Sequence, residues 1–162
     1  MGTFNPDRLI LIHGLEGSSQ GDKATLLRSI FPQMMTPDFS GPVEERMELL
    51  YSLLGKDTGW TIIGSSLGGL MAALFTTQHP DQVRKQILLA PALFLPEFAS
   101  DLPEPVDVPT VIYHGTRDEI VPIEQTRILA KRSFTNLTIN EVDDDHRLFD
   151  TVHAIDWKTL LN

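Results

Sequence analysis

The chain has 162 residues, 41% hydrophobic and 22% charged, the balance of a folded protein long enough to bury a core. Its net charge of −9 argues against nucleic acid or an anionic membrane as a partner, because both require clustered Lys and Arg. There is no cysteine, which excludes disulfides, thiolate metal sites and a cysteine nucleophile.

Residues 9–13 (LILIH) follow a turn-like Asn5-Pro6-Asp7 and read as a first buried strand. The residues before them lack the basic start and cleavage site of a secretory signal, and Pro6 stands where a myristoylation motif requires Ser or Thr. No stretch approaches the ~18 consecutive apolar residues of a membrane span, so a cytoplasmic location away from membranes is the expectation. A Gly- and Ser-rich loop, HGLEGSSQGDK, leads to a helix over 24–30, and 34–36 is a weak strand candidate. Pro42 opens a helix with Val43, Met47, Leu50, Tyr51 and Leu54 on one face and Glu44, Glu45 and Glu48 on another; Gly55 ends it. Residues 60–63 are a β-branched apolar run, and 67–78 form a helix that is apolar on nearly every face and stops at His79-Pro80.

Beyond it, 85–90 reads as a strand, 91–109 as a proline-rich irregular crossing, and 108–114 as the next strand. A helix opens at Pro122 and Ile123 and runs to about Arg132. Residues 137–142 alternate as a half-exposed strand, and 148–161 close the chain as a helix. Strands alternating with helices predict a single α/β domain over 1–162: a three-layer α/β/α sandwich with a mostly parallel sheet of about six strands. Ligands bind such sheets at the carboxyl ends of the strands, and every chemically interesting loop here follows a strand.

Between the strand at 60–63 and its helix, Gly64-Ser65-Ser66-Leu67-Gly68 matches G-x-S-x-G. A strand that turns sharply into a helix strains its middle residue and leaves no room for flanking side chains. The Ser66 hydroxyl then projects above a helix N-terminus that favours developing negative charge. A serine is a weak nucleophile without a base, normally a histidine oriented by a carboxylate, and in this setting the chain order is Ser, acid, His. His146, in DDDHRLFD after the last strand, fits the base better than His153, which falls inside the last helix. Asp118, in HGTRDEIVP, is the simplest acid; Glu119 beside it would point elsewhere, and Glu97 and Asp101 on the crossing are weaker alternatives. The backbone N–H groups of Leu67 and Leu15 fit the two donors of an oxyanion pocket. His13, His79 and His114 read as structural residues.

A phosphate-loop reading of GLEGSSQGDKAT fails, because Gly17 and Gly21 are one residue too close and Lys23 follows Asp22. The run Asp143 to Asp145 cannot turn all three carboxylates to one metal; it reads as a solvated loop, one member of which could hold His146. No metal or other cofactor is expected.

Taken together, LIHGLEGS, GSSLGG, HGTRDEIVP and DDDH resemble the α/β-hydrolase superfamily, and the size is similar to its compact bacterial esterase branch that includes the YqiA-type proteins. The motifs span residues 9 to about 150. The resemblance implies a Ser66–His146–Asp118 triad, an acyl-enzyme intermediate and no cofactor. The early antiparallel strands of larger members are expected to be absent, and the crossing at 91–109 is too short for a separate cap domain. Leu93, Phe94, Leu95 and Phe98 on that crossing are expected either to contact an acyl group or simply to cover the sheet edge. The predicted function is hydrolysis of small or medium acyl esters or thioesters. The competing expectation is a hydrolase fold used only for binding.

Overall fold

The computed structural model describes residues 2–162. Five parallel strands form one sheet in the order of the chain: β1 (Leu9–Ile12), β2 (Trp60–Ser65), β3 (Val83–Leu89), β4 (Thr110–Gly115) and β5 (Leu137–Val142). The candidate strand at 34–36 contributes a single bridge, Met35 to Ile10, on the free side of β1. Two backbone bonds there, Leu11 N–H to the Met35 carbonyl and Met35 N–H to the Leu9 carbonyl, give it the role of a short sixth member. Pro37 lies just beyond and removes the donor that a longer strand would need.

The helices are α1 (Asp22–Ile30), α2 (Val43–Leu54), α3 (Leu67–Gln78), α4 (Pro96–Ala99), α5 (Ile123–Ser133), α6 (Phe149–Ala154) and α7 (Trp157–Leu161). They divide between the two faces because strand residues alternate. Ile10, Ile12, Ile62, Leu88 and Ile112 pack in one core with Leu50 and Leu54 of α2, Met71 and Phe75 of α3, Phe98 of α4 and Ala130 of α5. Their neighbours Leu9, Leu11, Ile63, Ile87 and Leu89 share the other core with Leu27 of α1, Val152 of α6 and Trp157 and Leu161 of α7. This is the expected three-layer sandwich. The helix expected over 148–161 is two helices. Asp156 breaks it by capping α7, its side chain accepting from Thr159 N–H (3.2 Å) and Oγ–H (2.8 Å). Among the described residues no helix is long and apolar enough to cross a membrane.

From β1 the chain runs outward through α1 to Met35, then returns through α2 to β2 on the other side. The loops after β1 and β2 therefore diverge to opposite faces and leave a crevice between them, where open α/β sheets bind ligands.

Candidate active site

Ser66 sits at the sharp turn between β2 and α3 with φ 55° and ψ −113°, a conformation that costs a non-glycine residue about 1–3 kcal/mol. Neighbouring backbone holds it there. Ser66 N–H donates to the Leu89 carbonyl at 2.9 Å, and the Ser66 carbonyl accepts from Gly69 (3.0 Å), Leu70 (3.2 Å) and Ala92 (3.0 Å). A Cβ on Gly64 would strike the Gly68 carbonyl, and one on Gly68 would strike the Ile12 carbonyl, so both flanking positions of the motif are closed to side chains.

His146 and Asp118 arrive from the two loops at the far end of the sheet. Those loops run side by side: Thr116 N–H donates to the Val142 carbonyl (2.8 Å) and Arg117 N–H to the Asp144 carbonyl (3.0 Å). The His146 ring bridges Asp118 and Ser66, with Nδ1 2.8 Å from Asp118 Oδ2 and Nε2 2.9 Å from Ser66 Oγ. A carboxylate only accepts, so Nδ1 carries the proton and Nε2 accepts from the serine hydroxyl. The Asp118 side chain is fully buried, and its Oδ1 accepts from the amides of Ile120 and Val121, both at 2.8 Å. Glu119, Glu97 and Asp101 are exposed.

Asp144, rather than orienting His146, turns inward to accept from Thr151 N–H (3.0 Å), Thr151 Oγ–H (2.8 Å) and Asp145 N–H (2.8 Å). Burial alone would raise its pKa, but these donors outweigh burial and hold the carboxyl below the ordinary range. Asp143 pairs with Arg117 at the surface. Among the described residues no group of three or more His, Asp or Glu is arranged to hold a metal ion.

His13 organises the loop after β1. Its Nε2 accepts from Phe39 N–H at 2.9 Å, so Nδ1 carries the proton and donates to the Gly14 carbonyl at 2.7 Å. Gly17 N–H bonds the same carbonyl at 3.1 Å. The peptide is trans, so the Leu15 N–H points to the opposite side, away from the His13 ring. The loop abuts the serine: a Cβ on Gly14 would lie 3.2 Å from Ser66 Cβ and 3.9 Å from the Leu67 nitrogen.

A cavity of about 760 Å³ opens beside these groups, lined among others by Ser66, His146, Lys23, Leu11, Leu15, Ala24 and Ile120. Leu93, Phe94, Leu95 and Phe98 do not line it. Leu93 and Phe98 are fully buried in the core beneath the crossing, and Phe94 and Leu95 pack against that core from outside. The exposed apolar side chains lining the cavity are instead those of Leu15 and Ile120, which are 67% and 65% exposed. Leu15 is the residue whose N–H is expected at the oxyanion pocket, and Ile120 stands two positions after Asp118; those positions were the available signal for their side chains.

The model of the Uncharacterised protein family (UPF0227) matches residues 8–104. The chain belongs to that family. The match takes in β1, the Ser66 turn and most of the crossing, and stops before Asp118 and His146. No curated protein matches in sequence. Among solved structures, the chain is similar to a protein of the alpha/beta hydrolase superfamily from Xanthomonas campestris pv. campestris (27% identity, TM-score 0.76, 90% of each chain covered). It is also similar to Est1E from Butyrivibrio proteoclasticus with ferulic acid bound (18% identity, TM-score 0.72, 96% of this chain and 90% of that one). A third is the Paleococcus ferrophilus monoacylglycerol lipase (18% identity, TM-score 0.70, 98% and 96%). The fold of this UPF0227 member is that of the α/β hydrolases, and these likenesses cover 90% or more of the chain and so reach past residue 104.

Proposed function

We propose that the protein is a serine hydrolase of carboxylic acyl esters or thioesters. The observation that carries this reading is the unbroken chain Ser66 Oγ–His146 Nε2 (2.9 Å) and His146 Nδ1–Asp118 Oδ2 (2.8 Å). As Ser66 Oγ attacks the acyl carbonyl, its proton passes to His146 Nε2, and Asp118 stabilises the imidazolium. The negative charge that develops on the carbonyl oxygen falls to the N–H groups of Leu67 and Leu15. Collapse of the tetrahedral intermediate breaks the bond to the alcohol or thiol, which leaves with the proton from His146. Water then attacks the acyl-Ser66 ester by the same route and releases the acid.

Small or medium acyl groups suit the open cavity, in which Leu15 and Ile120 offer apolar surface at the mouth and Leu11 and Ala24 lie further in. The crossing at 91–109 carries only one turn of helix, α4, and adds no cap. Among the structural relatives, one is a monoacylglycerol lipase and another holds ferulic acid, in keeping with acyl substrates.

The test is Ser66→Ala on an activated ester, combined with labelling by a fluorophosphonate. The substitution is expected to cut kcat by on the order of 10⁴ or more and to abolish labelling, with the thermal midpoint preserved. A variant that keeps most of its activity refutes the reading.

A further inference from the structure

We propose that His114 is a positioning residue for this reaction: a neutral imidazole that holds Asp118, and through it His146, from the side away from the serine. The proposal rests on the roles given above to Ser66, His146 and Asp118.

His114 is the penultimate residue of β4, fully buried, with Glu141 of β5 as its register partner. Its Nε2 lies 3.0 Å from the Val121 carbonyl and 3.3 Å from Asp118 Oδ2. Both are acceptors, so Nε2 carries the hydrogen. Nδ1 is buried without a hydrogen-bond partner among the described residues, so a second proton there would have nowhere to go. The ring is therefore neutral.

Val121 closes the arrangement. Its carbonyl accepts from His114, while its N–H, together with that of Ile120, holds Asp118 Oδ1. His114 thus holds the residue whose N–H holds the carboxylate, and also sets an N–H dipole close to Oδ2, the oxygen that receives His146 Nδ1.

A neutral donor suits this place better than a cation would. His146 becomes positively charged in the transition state and needs the full charge of Asp118. A cation behind Asp118 would share that carboxylate and oppose the imidazolium; a neutral N–H holds the carboxylate in place without competing for its charge. The charged and titratable groups facing His114 are Asp118 and His146 from the two loops, Arg127 of α5 and Glu141 of β5.

The test compares His114→Leu, which removes the donor, with His114→Gln, whose side-chain amide reaches the Nε2 position. On an activated ester, His114→Leu should lower kcat about three- to tenfold, the worth of the one ordinary hydrogen bond to Val121, with KM little changed. His114→Gln should recover most of that loss. In an Asp118→Asn background, His114→Leu should cost nothing more, because its effect travels through Asp118. If the Leu variant does not fold, His114→Asn, whose amide sits at the Nδ1 position, replaces it as the variant without a donor. Leu or Asn variants as active as the wild type, or losses that multiply with Asp118→Asn, would overturn the proposal and leave the serine-hydrolase reading intact. A wild-type protein that neither hydrolyses the ester nor takes up a fluorophosphonate at Ser66 overturns both.

Discussion

Lys23 Nζ donates to the Arg147 carbonyl at 2.8 Å and joins the first turn of α1 to the loop that carries His146. A lysine in a first helical turn opposes the helix dipole, and burial pushes its pKa down. The bond across the mouth of the site gives this unfavourable placement a purpose. Lys23→Met keeps the apolar stem and removes the donor. The expected result in steady-state kinetics on an activated ester is a fall in kcat of about three- to tenfold, the worth of one ordinary hydrogen bond. An unchanged kcat means the His146 loop keeps its place without the tether.

Asp118→Asn should lower kcat by on the order of 10⁴, because an amide at the Oδ2 position no longer forces the proton onto His146 Nδ1. The exposed Asp101→Asn serves as the control on the neighbouring crossing and should stay within about twofold of the wild type. If Asp101→Asn is damaging and Asp118→Asn is not, the assigned acid is wrong.

Chain-length preference should follow the cavity rather than the crossing. Leu15→Ala keeps the backbone N–H and, like Ile120→Ala, removes apolar surface at the mouth. Each should reduce kcat/KM for an octanoyl ester by about five- to thirtyfold while the acetyl ester changes little, given the value of a few buried methylenes. Phe94→Ala, outside the cavity, should leave the chain-length profile as it is. A panel of esters of graded length decides the point; a profile that responds to Phe94 and ignores Leu15 and Ile120 contradicts it.

Burial pushes the His114 pKa down, although the Val121 carbonyl and Asp118 pull it the other way. The unfolded chain therefore takes up a proton at this residue at higher pH than the native protein does, so stability falls as pH drops through about 6.5, the ordinary histidine value. Urea midpoints measured between pH 8 and pH 5 should decline on the acid side, and His114→Gln should flatten part of that decline. Parallel curves for the two proteins would exclude His114 as its source.

Much of this molecule was legible along the chain because periodicity and turn chemistry are local. The alternation of short apolar runs with amphipathic segments determined the layers. The spacing of Gly64, Ser66 and Gly68 determined the strained turn, since no side chain fits where the Gly68 and Ile12 carbonyls pass. The order of Ser66, Asp118 and His146, each after a strand of a parallel sheet, implies that all three share one edge. Side-chain facing was another matter. Nothing in PALFLPEF distinguishes a residue that lines a cavity from one that fills a core. The crossing's packing onto the sheet decides it, with Ala92 N–H bonded to the Ser66 carbonyl and a Cβ on Gly69 only 2.7 Å from Pro91 Cβ. His114 likewise read as an ordinary strand-end histidine, because its partners Val121 and Asp118 come close only when the loop after β4 folds back over it. Secondary structure and motif order follow from neighbours in sequence. The lining of the cavity and the support behind Asp118 depend on contacts between segments that only the closed fold brings together.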